Sequence, residues 1–364
     1  MNMRVALVMP PVSEQTHEVT LDGWPTVVQQ AQALHQHGGL EVIVACRTSL
    51  ASGVVHREGV EYCFSASDAE LVAAVAQWQP DVVHVHGLGF SRLTLRLGRA
   101  LHASAAIVLQ HHGEPVPRGR TAFAHRVVRR FVDGYLFTGA LFGQAKPFVE
   151  SGMIDEDALC CEVLEAASTL PATNGGESPP IELSGSPTIL WVGRLIDSKD
   201  PRAAIEAFGI AAAGAMPQAH LHLLATDRTL EPHVRAAIEA LGEAGGRVHL
   251  HDPAPREAMR AWYQAATIIL STSWREGSGY ALVEAITEGC APVATSIPSH
   301  RAIVGDLAPT FSPGDTLAAA ALLVAAAQMN AGSARAFAQR NLCWSSVADQ
   351  LVIAYKSAAT HAGH

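Results

Sequence analysis

Short apolar runs alternate with helix-patterned segments along almost the whole chain, and that alternation leaves few folds open. A first series of strand candidates falls at residues 4–9, 41–45, 82–85, 107–110, 134–137 and 159–164, with helical stretches at 26–37, 69–77 and 92–102. Such alternation implies parallel strands joined by helical crossovers. From residue 171 to 187 the chain turns to Pro, Gly, Ser and Asn and reads as a linker. A second series follows, with strands at 188–192, 220–225, 247–250, 267–270 and 291–294 and helices near 201–213, 232–241 and 256–265. The expected fold class is therefore α/β, two successive Rossmann-like domains with parallel sheets facing an interdomain cleft. Ligands of such sheets bind beyond the carboxyl ends of the strands. The expected boundaries are 1–170, a linker at 171–187, a second domain at 188–344, and a last amphipathic helix within 345–364.

At 364 residues the chain has room for two cores, and 49% hydrophobic against 16% charged residues excludes disorder. No apolar run reaches the ~18 residues of a membrane span, and the first apolar run is too short for a secretory signal. The six cysteines are scattered without a Cys-x-x-Cys pair, a cytosolic usage. A formal net charge of −9 argues against nucleic acid as partner. An anionic ligand would need cations placed for it locally. Lysine occurs only at 146, 199 and 356, so Lys199 is conspicuous where it stands.

The densest chemistry lies at residues 271–284, Ser-Thr-Ser-Trp-Arg-Glu-Gly-Ser-Gly-Tyr-Ala-Leu-Val-Glu. A short buried strand precedes it and a helix at 281–288 ends it. Gly277 and Gly279 allow a tight turn and a close backbone approach to a ligand. With Ser278 they lead into a helix start whose unpaired amides and dipole favour a phosphate. Were Glu276 and Glu284 on one helix, eight residues at ~100° each would set them about 80° out of register. The glycines instead leave Glu276 on the loop, facing a ligand from the strand end while Glu284 faces it from the helix. The plainer reading is a surface loop and a solvated glutamate.

A second site candidate is Val192-Gly-Arg-Leu-Ile-Asp-Ser-Lys-Asp-Pro201, after the first strand of the second domain. Gly193 permits a close turn, Arg194 offers a diphosphate a planar fork, and Lys199 offers a point charge. In the first domain, His84 and His86 end one strand on one face, while His111 and His112 end another on opposite faces. His220/His222 and His249/His251 repeat a two-residue spacing, a weak metal signal without a third clustered ligand. Gly-x-Gly-x-x-Gly is absent after the first strand, which argues against a dinucleotide oxidoreductase. Residues 10–25, containing Asp22-Gly23-Trp24, read as a long loop suited to gating or acceptor contact. Arg118, Arg120, His125, Arg126, Arg129 and Arg130 form either a solvated helix face, the favoured reading, or a contact for acidic lipid or a phosphorylated acceptor.

Taken together, these motifs resemble a retaining glycosyltransferase of the GT-B fold, family 4 (glycosyl transferases group 1). The resemblance rests on the histidine-ended strands, Val192-Gly-Arg-Leu with Lys199, Glu276-Gly-Ser-Gly through Glu284-Ala, Gly289-Cys-Ala-Pro-Val-Ala294 and the final helix, which in this fold crosses back to the first domain. It implies that Arg194 and Lys199 bind the donor diphosphate and Glu284 the ribose hydroxyls. Glu276, with the amides of Gly277, Ser278 and Gly279, would hold the donor sugar and phosphate. His112 would contact the transferred sugar, with His111 the alternative. Gly23 matches part of the glycine pair that opens the first helix in many members. That pair reads Asp22-Gly23 here, and Arg301 stands where many members carry a glutamate.

The implied reaction moves a sugar from a nucleoside-diphosphate sugar to an acceptor hydroxyl of a glycan, lipid or small molecule, with retention. The implied partners are that donor and an acceptor the residues do not identify. No cofactor and no metal are expected, because Arg194, Lys199 and the helix start neutralise the phosphate. The expected location is cytoplasmic, with peripheral contact at the inner membrane face as an option. Two alternatives stand beside this: an epimerase of the same fold, which would turn over donor without acceptor, and a catalytically silent nucleotide- or glycan-binding module, which would have no need of the full residue set.

Overall fold

The computed structural model describes residues 2–12, 16–171 and 180–363. By its internal contacts the chain forms two units, Met1–Ala166 with Trp344–His364, and Ala167–Cys343. Part of the linker expected at 171–187, residues 172–179, lies outside the described residues. The second unit starts at Ala167, ahead of the expected boundary, because residues 169 and 171 are already tied to it. The Thr169 hydroxyl meets Arg256, and the Pro171 carbonyl accepts from Arg260 at 3.2 Å.

The first unit runs β1 (Met3–Val12), α1 (His17–Gly23), α2 (Pro25–His37), β2 (Leu40–Thr48), β3 (Gly53–Arg57), β4 (Val60–Ser65), α3 (Asp68–Trp78), β5 (Val82–His86), α4 (Ser91–Leu101), β6 (Ala106–Gln110), α5 (Gly119–Val128), β7 (Gly134–Phe137), α6 (Lys146–Glu150) and β8 (Cys160–Glu162). Its eight strands lie in the order β3-β4-β2-β1-β5-β6-β7-β8, parallel except for the β3–β4 hairpin. β5 and β6 are buried along their whole length, as sheets covered on both faces require. Residues 10–25 are not one long loop. β1 continues to Val12, and α1 follows, with the Thr16 hydroxyl accepting from the Val19 amide at 3.1 Å as its cap. Residues 13–15 of that stretch lie outside the described residues.

The second unit runs β9 (Thr188–Gly193), α7 (Pro201–Ala213), β10 (His220–Ala225), α8 (Glu231–Ala240), β11 (Val248–His251), α9 (Met259–Ala265), β12 (Ile268–Ser271), α10 (Tyr280–Glu288), β13 (Ala291–Ala294), α11 (Pro298–Val304), α12 (Thr316–Ala326) and α13 (Ala331–Asn341). Its five strands are all parallel, in the order β11-β10-β9-β12-β13. Trp191, Phe208, Leu221, Leu223 and Leu270 are central to its core.

The last helix, α14 (Trp344–Ala362), returns to the first unit. There the Tyr355 hydroxyl donates to His84 Nδ1 at 2.7 Å and Gln350 Oε1 accepts from the Leu164 amide at 2.8 Å. Among the described residues no single helix is long and apolar enough to cross a membrane. Part of the arginine cluster around α5 is spent on its own unit. Arg126 and Arg129 donate to the carbonyls of Ser151 and Gly152, both at 2.8 Å, and His125 is buried.

Candidate functional site

Beyond the carboxyl ends of β9 and β12 two loops meet around a cavity of about 270 Å³. Gly193, Arg194 and Lys199 line it from the β9 side; Glu276, Ser278, Gly279 and the first turn of α10 line it from the other. The loops are clamped by groups outside the cavity. Trp191 Nε1–H donates to Thr272 Oγ1 at 3.1 Å, and that hydroxyl faces the carbonyls of Lys199 and Asp200 at 2.9 and 2.8 Å. The Trp274 amide donates to the Ser198 carbonyl and its indole to Asp200, both at 2.9 Å.

Inside the cavity Lys199 Nζ pairs with Glu276, which also accepts from Ser273 Oγ at 2.7 Å; the paired side chains are 20% and 16% exposed. Arg194 is solvent-exposed at the rim. α10 begins without a side-chain cap, so the positive end of its dipole is directed at the cavity. Gly279 sits at that start with φ +59°, and a Cβ there would lie 2.9 Å from Ile303 Cδ1. Only glycine fits. Two cations, one tied carboxylate and a helix start form a donor set that suits a phosphate group.

Glu284 departs from expectation. Its carboxylate does not line this cavity but is buried, held by Arg256 and by the Tyr263 hydroxyl at 3.2 Å. α10 turns position 284 towards α9. Gly23 also departs. It ends α1 with no neighbour that a Cβ would meet and no left-handed φ, so nothing there calls for glycine. Gly277 lies in the loop between Glu276 and Ser278, outside the cavity lining.

In the first unit the paired histidines separate clearly. His111 is buried against Phe137 and Phe148, with Nε2 near the Glu114 carbonyl at 3.1 Å, and burial lowers its pKa. His112 is partly exposed, with Nδ1 2.6 Å from Glu165 and Nε2 3.1 Å from His86 Nδ1. Burial works against its charged form, but the Glu165 carboxylate, helped by Glu114, outweighs that and raises its pKa. The polar position is therefore His112. His84 and His86 stack at 4.3 Å on one face, and both are kept neutral by burial.

Several contributing residues carried no sequence signal. Glu165 reaches His112 across 53 positions and Arg256 reaches Glu284 across 28, separations a motif does not span. His300 lines the cavity, buried, with Nδ1 3.0 Å from Thr295 Oγ1. Ser273, within the 271–284 segment, supports Glu276 through its hydroxyl.

Residues 186–328 match the family described as Glycosyl transferases group 1. The second unit is a glycosyl transferases group 1 domain. A curated relative of the chain is the GDP-mannose:cellobiosyl-diphosphopolyprenol alpha-mannosyltransferase of Xanthomonas oryzae pv. oryzae, 26% identical over 224 residues. That match covers 60% of this chain and 56% of the relative, so the chain spans about half the relative's length. Among solved structures, sucrose-phosphate synthase from Thermosynechococcus elongatus is similar over 98% of both chains, at TM-score 0.65 and 15% identity. Anabaena HepE, solved with UDP and glucose, is similar over 98% of this chain and 100% of its own, at TM-score 0.62 and 14% identity. At such identities the likeness establishes the fold, which is GT-B. The cavity with Lys199 and Glu276 lies wholly within the group 1 domain.

Proposed function

We propose that this chain is a retaining glycosyltransferase that moves a sugar from a nucleoside-diphosphate sugar to an acceptor hydroxyl. The observation that carries the reading is the cavity at the β9 and β12 ends, where Arg194, Lys199, Glu276 and the uncapped start of α10 converge. A diphosphate entering there takes up Lys199 and Arg194, and Lys199 is shared with Glu276. The negative charge that grows as the sugar–phosphate bond breaks falls on donors already in place, which is the main catalytic contribution of such a site. No divalent cation is required in this scheme. Glu276, once Lys199 turns to phosphate, accepts from hydroxyls of the donor sugar. His112, its imidazolium favoured by Glu165, holds a hydroxyl of the transferred sugar.

The scheme is front-face and uses no covalent nucleophile. The acceptor oxygen bonds to the anomeric carbon on the side the diphosphate leaves, and the acceptor proton passes to a diphosphate oxygen. GDP-mannose and UDP-glucose are the first donors to test, given the relative's name and the ligands of the HepE structure. A lipid-linked diphosphate sugar is the first acceptor to test, on the same relative's name.

Calorimetry with GDP, UDP, ADP and their sugar conjugates, without added metal, tests the donor site. Binding of one nucleotide is expected. Lys199→Ala should weaken it at least tenfold, and Glu276→Gln should cut turnover by two orders of magnitude or more while circular dichroism is unchanged. Undiminished transfer by both variants would overturn the assignment.

A further inference from the structure

Four histidines that the donor chemistry does not use lie together at the edge of the second sheet. β10 reads His-Leu-His-Leu and β11 Val-His-Leu-His, so one face of the edge is apolar and belongs to the core, and the other is imidazole. The parallel register sets His222 beside His249, and the rings pack as a ladder, with His222–His249 centroids 4.6 Å apart and His220–His249 5.1 Å. His220 Nδ1 stands 2.8 Å from His249 Nε2, and His222 Nδ1 2.9 Å from His251 Nε2. One nitrogen from each of His220, His222 and His249 falls within 4.8 Å of the other two.

Ser184 completes the surround. Its hydroxyl is 3.1 Å from His220 Nδ1 and 3.3 Å from His249 Nε2, and its carbonyl is 2.9 Å from His222 Nε2. The chain comes this close because Gly185 has φ +103° and no side chain; a Cβ there would lie 2.6 Å from His220 Cβ. His220 and Ser184 are not buried, so an ion has a way in.

We infer that His220, His222 and His249 form a binding site for a divalent transition-metal ion of the zinc class. Imidazole nitrogens are preferred ligands of such ions, at about 2.0–2.1 Å, which in tetrahedral geometry sets ligand nitrogens about 3.3 Å apart. The facing nitrogens of His220 and His249 need to open by only about 0.5 Å to reach that spacing. The rings bind as neutral imidazoles, each keeping its one proton on the nitrogen turned away from the ion. In the metal-free protein His222 Nε2–H donates to the Ser184 carbonyl at 2.9 Å. On binding an ion the ring gives up that proton at Nε2 and carries its one proton on Nδ1, donated to His251 Nε2, which makes His251 a positioning residue. Burial, with the Arg247 charge beside His220 and neighbouring histidine charges beside the other three, favours the neutral form of all four rings. A water or a Ser184 oxygen takes the fourth position.

The site joins β10 and β11 to the segment at Ser184 that leads into β9. It lies apart from the residues that line the donor cavity. Its role is to staple that entry segment to an edge strand, and the inference does not depend on the proposed transfer reaction.

The test uses the full chain stripped of metal and titrated with Zn2+ by calorimetry, and with Co2+ by visible absorption. Expected is one equivalent of Zn2+ bound with submicromolar Kd, a Co2+ spectrum of tetrahedral intensity, and a melting temperature that rises with Zn2+ and returns with chelator. His249→Ala should lose at least a hundredfold in affinity and His251→Ala about ten- to a hundredfold. If His249→Ala does not fold, the more exposed His220→Ala serves in its place. Zn2+ binding only in the high micromolar range, or binding that survives the ligand substitutions, would overturn the site and leave a hydrogen-bonded imidazole ladder.

Discussion

His300 shows how much a single side chain can settle without touching a motif. It is buried behind the Ser271 and Glu276 loop, between Thr295 and Ser271, and burial lowers its pKa to about 4. His84, sealed beneath Tyr355, is pushed to about 3 by the same cause. Both folded values lie below the ~6.5 of an unfolded histidine, so the unfolded chain takes up protons first as the pH falls. The stability they confer is complete above about pH 6.5 and is lost through the window down to their folded values, by up to ~1.4 kcal/mol per pH unit and group. Urea midpoints at pH 7.5 and 5.0 check this, and a lower midpoint at pH 5.0 is expected. Equal midpoints would show that neither ring is protonated more readily in the unfolded chain. At this scale sequence reading succeeded where backbone chemistry decides the residue. Gly279 is an example, since a left-handed helix start favours glycine. It is silent where a partner decides, as for Glu284, whose direction follows from Arg256 and Tyr263 on a neighbouring segment.

Among the elements, the strands of both sheets stood out in the sequence because buried parallel strands are continuous apolar runs flanked by turn formers. β10, β13 and β7 fall where the runs place them. The β3–β4 hairpin and α1 did not stand out. β3 has no buried residue, and its turn is Glu58-Gly59 with φ of 49° and 83°, a geometry whose usual signal is Asn-Gly or Asp-Gly. Glutamate pays for a left-handed backbone that asparagine adopts more readily. Glu58→Asn should therefore stabilise the first unit by about 0.5–1 kcal/mol, read as a raised denaturation midpoint at unchanged m-value. No gain would mean that the turn relaxes at little cost. α1 is only seven residues long, and its apolar positions are too few to show a period.

Across the whole molecule, the first unit is closed by the last nineteen-residue helix rather than by its own contiguous chain. Val347, Leu351 and Tyr355 are fully buried in it, and the Tyr355 hydroxyl is the partner of His84 Nδ1. Tyr355→Phe leaves that buried nitrogen without its donor, at a cost of about 1–3 kcal/mol in unfolding free energy. Amide exchange in β5 and β6 should quicken along with it, and unchanged exchange would show that the bond contributes nothing. The sequence announced a final amphipathic helix, but its seat was a matter of resemblance, because an apolar face does not say which groove it fills. Because α14 follows the second unit in the chain, a ribosome that has finished Met1–Ala166 has released a sheet still missing one of its covers. During synthesis the second unit, contiguous from Ala167 to Cys343, is free to fold first, while the earlier half waits for α14. The nascent chain thus exposes an apolar groove for the time taken to make some two hundred further residues, about 10–40 s at ordinary elongation rates, which is when a chaperone would find it.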